Sequence, residues 1–329
     1  MSVVSLPSAT FNFVNQAPPA NNVVTEVLSG LTLAQKQISP KYFYDAHGSQ
    51  LFEAITEQPE YYPTRTEQQI LQRHAGEIAT ALGQHSVLLE PGAGNCQKVR
   101  LLLEDLRPAA YVPIDISGDF LQMAATDLQQ DFPWLSLTAT QADFTQLMSL
   151  PENLPEQPRQ LFYPGSTIGN LQPAEATRFL NHARELVGDD GGLLIGVDLH
   201  KDTHLLNAAY NDAAGITANF NRNILNHLNC LLPANFEAGT FKHIAHYNED
   251  LQRIEMYLES PRDHIVQCAH EEIELLKQEW ILTEYSYKYT PESFAELADS
   301  ALLQIEQCWQ DAQAFFAVFY LTPQRHLSS

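Results

Sequence analysis

SVLLEPGAGNCQKVRLLLEDL, residues 86–106, passes from an apolar run through a glycine turn into a stretch with helical apolar spacing. A short apolar run handing over to a helix through Gly92 and Gly94 reads as the first strand and helix of a βαβ unit. The pattern continues on both sides. Upstream, TEQQILQRHAGEIATALG (66–83) places Ile70, Leu71, Ile78 and Leu82 on roughly one helical side. Downstream, AYVPIDIS, LSLTATQADF, QLFYPGST and GGLLIGVDL read as strands, separated by the helical GDFLQMAATDLQQDF and AEATRFLNHARELV. Strands alternating with helices imply right-handed crossovers and a parallel sheet covered on both faces. The expectation is a Rossmann-like α/β domain with its ligand at the carboxyl ends of the strands.

After Leu199 the rhythm changes. A helical NRNILNHLNCLL leads into strand-like FKHIAHYN, RIEMYLES, HIVQCAHEEIELL and ILTEYSYKY, an antiparallel-rich layer inserted before the sheet finishes. ESFAELADSALLQIEQCWQ and AFFAVFYLTP then read as one more helix and strand of the first domain. The expected division is a loosely held arm at 1–22, an α+β substrate-binding domain from 23–64 and 201–288, and the Rossmann-like domain from 65–200 and 289–329.

Length and composition bound the partners. A chain of 329 residues suits two domains, or one with a large insertion. A formal charge of −22 argues against nucleic acid and anionic membranes, because phosphate binding needs clustered Lys and Arg. Cys96, Cys230, Cys268 and Cys308 are far apart and form no CxxC pair, which suggests reduced thiols and a cytoplasmic setting. His200 with His204, and His243 with His246, have ligand-like spacing, but no carboxylate cluster completes a site, so no metal is expected. A monomer acting on a small molecule is the working picture.

The glycine turn narrows the ligand. A dinucleotide fingerprint needs G-x-G-x-x-G, and the third position here is Gln97. The second strand ends at Asp115, where a carboxylate can accept from both hydroxyls of a ribose. The third ends at Asp143 and Phe144, where adenine could find a hydrogen bond and apolar packing. An adenosine pocket without a diphosphate anchor fits S-adenosylmethionine better than a dinucleotide, and a dehydrogenase is disfavoured. In ILTEYSYKY (281–289), strand alternation puts Leu282, Glu284, Ser286 and Lys288 on one face and Thr283, Tyr285, Tyr287 and Tyr289 on the other. Glu284 and Ser286 then present an acceptor and a hydroxyl about 7 Å apart.

Several stretches resemble the histidine Nα-methyltransferases of ergothioneine biosynthesis: SPKYFYDAHGSQLFEAITEQPEYYPTRTEQQIL (39–71), FYPGSTIGNL (162–171), GVDLHKD, AYND…GITANFNRNIL, RIEMYLES (253–260) and LTEYSYKY. The similarity runs in order from about residue 30 to 320. It implies a class I methyltransferase sheet with an added substrate domain, converting L-histidine to its Nα-trimethyl betaine with three S-adenosylmethionine molecules. For the methyl donor it implies contacts from Tyr44, Gly92, Lys98, Asp115, Asp143, Phe144 and Gly165, with Gly94 in the same turn. For L-histidine and its mono- and dimethyl intermediates it implies Tyr61, Asn170, Tyr210, Met256, Glu284 and Ser286. Tyr44 and Asn170 are the candidates to orient the reacting amine. The turn here reads PGAGNCQK where such enzymes more often carry a GSGTSEK-like version, and Lys98 keeps its place. An imidazole offers one N–H donor and one acceptor nitrogen, which a carboxylate and a hydroxyl complement. Two alternatives stay open: the same fold and donor with another amino acid or a modified histidine as acceptor, and a non-catalytic binding protein.

Overall fold

The computed structural model describes residues 10–16, 20–144 and 150–324. Its strands are β1 (Phe11–Asn15), β2 (Val87–Pro91), β3 (Ala110–Asp115), β4 (Leu137–Gln141), β5 (Arg159–Tyr163), β6 (Gly192–Asp198), β7 (Lys242–Asn248), β8 (Arg253–Glu259), β9 (His264–Cys268), β10 (Glu271–Leu275), β11 (Trp280–Tyr287), β12 (Leu303–Gln310) and β13 (Phe316–Pro323). The helices are α1 (Ala20–Leu31), α2 (Ala46–Thr56), α3 (Tyr62–Leu82), α4 (Gln97–Leu106), α5 (Gly118–Asp131), α6 (Pro173–Val187), α7 (Thr203–Ala209), α8 (Ile216–Leu231) and α9 (Pro291–Ser300).

Among the described residues, eight strands form one sheet in the order β1-β4-β3-β2-β5-β6-β13-β12. The strands from β1 to β6 are parallel, while β13 runs antiparallel to both β6 and β12. This parallel sheet, reversed at one edge by β13, is the class I methyltransferase architecture. The chain builds outward from β2 to β4, then returns to β5 on the other side. The switch point therefore falls between β2 and β5, where α/β sheets hold their ligands.

Alternation within single strands explains the two covered faces. Leu88 packs in one core with Ile70 and Leu71 of α3, Val99 and Leu102 of α4, and Leu121 of α5. Its neighbours Val87 and Leu89 point into the opposite core, with Leu180 of α6 and Phe294 of α9. A third core joins Val27, Ile38, Phe43 and Tyr61 to Phe220, Leu225, Ile254 and Ile281. It holds α8 against the antiparallel three-stranded sheet β11-β8-β7, with the β9–β10 hairpin beside it.

Four local readings change. Phe11–Asn15, expected in a loose arm, forms a parallel edge strand on β4, and the rest of that arm through residue 9 lies outside the described residues. The boundary placed at 64/65 falls inside α3, whose first residues are Tyr62 and Pro63. HIVQCAHEEIELL is two strands folded at Ala269, which has φ 54°. The helix expected to run through Gln310 stops at Ser300, and Leu303–Gln310 pairs with β13. Leu302 at φ 57° ends the helical path, and Leu303 and Ile305 then alternate as in a strand.

A close approach fixes α3 on the sheet. A Cβ added at Gly196 in β6 would lie 1.9 Å from Oε1 of the buried Glu67 of α3. Gly196→Ala is therefore expected to displace that carboxylate and destabilise the fold by about 1–3 kcal/mol. Thermal unfolding checks this; an unchanged midpoint would mean that α3 can slide without loss.

Candidate active site

The carboxyl ends of β2, β3 and β5 open into a cavity of ≈ 1660 Å³ that is closed from the other side by β11, α2 and the segment around Tyr44. Its donor half starts at the glycine turn. Gly92 and Gly94 have φ of 71° and 53°, a backbone that glycine adopts without a Cβ penalty. No atom lies within 4 Å of where a Cβ on Gly94 would stand, so the turn faces open space. The Gly94 N–H donates to Asp115 Oδ2 at 2.9 Å and the Ser117 N–H to Oδ1 at 2.9 Å. Each oxygen keeps a second lone pair for a ligand hydroxyl. Burial raises the Asp115 pKa, against the lowering effect of these backbone donors.

Phe144 packs at 3.5 Å from the position of a Gly92 Cβ and edge-on to Tyr163, making an apolar wall. Asp143 sits beside it, and its Oδ2 accepts from Lys41 Nζ at 2.8 Å. Lys41 also pairs with Glu26 at 2.6 Å. Lys98 reaches from α4 to Glu67 at 2.6 Å, and the Gly165 N–H donates to both oxygens of Glu67, at 2.9 and 3.0 Å. A ribose-sized acceptor pair, an apolar plane and an open glycine turn suit an adenosine, and these residues fit S-adenosylmethionine.

The side opposite the glycine turn is largely aromatic, with the β11 face and the carboxylates of Glu53 and Glu57 also on its lining. Tyr61 meets Tyr210 edge-on at 6.3 Å, and Tyr44 packs against Phe52 and Phe220. Burial raises all three phenol pKa values, joined by the Glu284 charge for Tyr44 and Tyr210 and by Tyr210 for Tyr61. They are neutral donors at any physiological pH. Asn170 ends a short helical turn, Thr167–Asn170, that packs on β11 and brings its amide to the cavity.

On β11 the strand reading needs one correction. A bulge leaves Thr283 without a cross-strand partner, so Leu282 faces Tyr257 while Glu284 faces Met256. Leu282 and Glu284 thus lie on opposite faces, and Thr283 turns inward to donate to Asn221 Oδ1 at 2.7 Å. Glu284, Ser286 and Lys288 remain on one face, toward the cavity. Met256, expected to touch the acceptor, is buried in the core beside Glu284 and does not line the cavity. Its carbonyl accepts from the Thr283 hydroxyl at 3.1 Å. Tyr44, Gly92, Gly94, Lys98, Asp115, Asp143, Phe144 and Gly165 all line the cavity, with Tyr61, Asn170, Tyr210, Glu284 and Ser286 opposite them.

Sequence reasoning missed the layer beneath. Asp198, at the end of β6, accepts from Lys201 at 2.6 Å, from Lys288 at 2.9 Å and from the Tyr62 hydroxyl at 2.8 Å. All four are buried. Burial would raise the Asp198 pKa, but the two lysines outweigh it and hold it below the usual range. Lys201 is pushed down to about 8 by burial, against the pull of Asp198. The available signal was Lys288, two residues past Ser286 on the same strand face, together with the GVDLHKD and YYPTR stretches. Among the described residues, no group of three or more His, Cys, Asp or Glu could hold a metal ion. No described helix is long and apolar enough to cross a membrane.

Sheet order and cavity define a class I methyltransferase. Residues 23–323 match the family described as histidine-specific, S-adenosylmethionine-dependent methyltransferases. The chain belongs to that family. It is 39% identical over 315 residues to a histidine N-alpha-methyltransferase of Mycolicibacterium smegmatis, covering 93% of this chain and 97% of that one. A histidine N-alpha-methyltransferase of Mycobacterium tuberculosis is 37% identical, over 89% of this chain and 92% of its own. Ergothioneine biosynthesis protein 1 of Neurospora crassa is 31% identical over 83% of this chain, which spans 32% of that longer protein.

Glu284 has no hydrogen-bond partner among the described residues, and burial pushes its pKa up to about 7, against the lowering effect of Lys288. An unfolded glutamate loses its proton near ~4.3, so the folded state binds more protons between that pH and 7. Stability therefore falls as pH rises across this window and stays lowered above it. Glu284→Gln, which cannot ionise, is expected to raise the melting temperature of the ligand-free protein at pH 8 and to change it little at pH 4. A drop at pH 8 would mean that the ionised carboxylate is held by a favourable partner.

Proposed function

We propose that the protein transfers methyl groups from S-adenosylmethionine to the α-amine of L-histidine, three in succession, giving the Nα-trimethyl betaine as a step of ergothioneine biosynthesis. The observation that carries the reading is the unpartnered Glu284 carboxyl beside Ser286, facing the same cavity as the Asp115–Gly94 cradle. S-adenosylmethionine supplies an already activated methyl on a sulfonium, so the chain's task is mainly positioning, worth ~7–11 kcal/mol in well-oriented cases.

In this reading Asp115 holds the ribose, Asp143 and Phe144 the adenine, and Gly92, Gly94, Lys98 and Gly165 border the methionine part. Tyr44 and Asn170 orient the amine so that its lone pair forms the new N–C bond as the S–C pair returns to sulfur. Tyr61, Tyr210 and Asn170 offer neutral donors to the substrate carboxylate, and Glu284 with Ser286 reads the imidazole. Because no fixed charge grips the nitrogen, the amine can lose a proton and turn between rounds. The segment from the start of α3 to residue 200, with 289–329, is assigned to the donor, and the segment from 23 to the start of α3, with 201–288, to histidine. Both halves of the site come from one chain, which favours a monomer. A charge of −22 favours a small-molecule acceptor over nucleic acid, and the exposed free Cys230 and Cys308 favour the reducing cytoplasm.

Labelled S-adenosylmethionine with a panel of the twenty amino acids, read by mass spectrometry, tests the assignment. One, two and three added methyl groups are expected on histidine alone; comparable methylation of another amino acid overturns the acceptor. Glu284→Ala is expected to weaken histidine binding about ten- to a hundred-fold, as for a lost charge-assisted hydrogen bond. Binding of S-adenosylhomocysteine, followed by calorimetry, is expected to stay intact; equal loss of both makes Glu284 a structural residue.

A further inference from the structure

The hydroxyl of Ser286 is held in an unusual state. Tyr210 donates its O–H to Ser286 Oγ at 2.8 Å, and Lys288 Nζ donates to the same oxygen at 2.7 Å. Lys288 also donates to the Tyr210 oxygen at 3.2 Å, which turns the phenol proton toward Ser286. A serine oxygen has two acceptor lone pairs and one O–H. With both lone pairs taken, Ser286 can only donate, and its remaining direction is the cavity. Glu284, next along this face, accepts through either oxygen when ionised and through its carbonyl oxygen when protonated.

From this we infer that Lys288 is a specificity-determining positioning residue: it fixes Ser286 as a donor, so that the pocket selects a neutral imidazole in one tautomer and rejects the imidazolium. The inference rests on the proposed histidine substrate and deepens it. One ring nitrogen must offer a lone pair to Ser286, and the other must donate N–H to Glu284. An imidazolium has two N–H groups and no lone pair, so it would face the Ser286 proton donor to donor. The charges agree. Lys288 and Lys201 around Asp198 leave one net positive charge behind Ser286, which opposes a second cation in front of it. The phenols around this end of the cavity, Tyr44, Tyr61, Tyr62 and Tyr210, are kept neutral by burial, with Tyr247 beside Lys288 and with Asp115 and Glu67 the further carboxylates that act on Tyr44 and Tyr61. Burial raises the Glu284 pKa, and the Lys288 charge pulls against it toward the ionised form. The ammonium is itself anchored by Asp198 at 2.9 Å, so its direction does not depend on the ligand.

Ring-¹⁵N-labelled Nα-trimethylhistidine has no titratable α-amine and reports only on the imidazole. Bound to the wild-type protein with S-adenosylhomocysteine at pH 6, close to the ring's ordinary pKa of ~6.5, it is expected to show one protonated and one unprotonated nitrogen by ¹⁵N NMR. In Lys288→Met, Ser286 regains a lone pair. The bound ring is then expected to shift toward the doubly protonated form, with affinity for the neutral ring down about tenfold. Two protonated nitrogens in the wild type overturn the inference, as does an unchanged spectrum in Lys288→Met. If Lys288→Met does not fold, the wild-type spectrum decides by itself. A wild-type protein that methylates histidine yet binds the ring as imidazolium keeps the proposed function and loses this inference. One that binds neither histidine nor its betaine loses both.

Discussion

Asp198 is a carboxylate buried in the middle of the molecule, and the structure around it follows from the need to keep it paired. An isolated charge at such depth costs several kcal/mol, and removing one partner of a buried pair is strongly destabilising. Its partners come from different places in the chain: Lys201 from the segment after β6, Lys288 from the end of β11, and Tyr62 from the start of α3. Its backbone N–H donates to Ser166, on the turn that carries Asn170. One side chain therefore ties together the parallel sheet, β11 and the first turn of α3. The backbone repeats the tie, with His200 N–H donating to the Tyr289 carbonyl at 2.8 Å.

That junction ties the two halves of the cavity together. The donor half is built from strand ends and backbone, which a parallel sheet places precisely at its switch point. The acceptor half is built from β11, α7, α2 and the turn before it, a more irregular set that needs fastening. Lys41 adds a second fastening by bridging its own segment to Asp143 in the donor half. A methyl transfer needs nucleophile, methyl and leaving group in line, and misplacement by about 1 Å can cost a hundred-fold in rate. Two ion pairs spanning the junction, one of them fully buried, are a physical means of holding that line.

The sheet was legible because its strands are buried on both faces and its helices are amphipathic, so periodicity alone separates Val87–Pro91 from Gln97–Leu106. The place of Asp115 and Phe144 on the cavity was legible because strand ends are fixed by topology, once β2, β3 and β4 are placed. β12 was hidden because LQIEQCWQ is half exposed and follows a helix without a proline or glycine; the break is a single left-handed Leu302. The bulge at Thr283 was hidden because its cause, a hydrogen bond to Asn221, lies sixty-two positions away in the chain. Met256 shows the same limit. It pairs with Glu284 across the sheet, yet whether a strand residue meets cavity or core depends on what packs over that face. The Asp198 cluster left only scattered signals, since Tyr62 and Lys288 meet Asp198 and Lys201 only in the folded chain.

The choice of tyrosines around the reacting end follows from the sequence of charge states the amine passes through. A primary amine, two methylated amines and a quaternary ammonium must each fit, and the last cannot donate a hydrogen bond. A carboxylate placed at the nitrogen would bind the protonated and quaternary forms best, opposing the deprotonation that each round requires. Phenols pushed to high pKa by burial impose no such preference, while their ring faces tolerate a cation. In the proposed reading Glu284 lies toward the ring, with the Asp198–lysine cluster behind Ser286. On that reading the cavity separates recognition, which uses charge and directed hydrogen bonds, from transfer, which uses neutral and rearrangeable contacts.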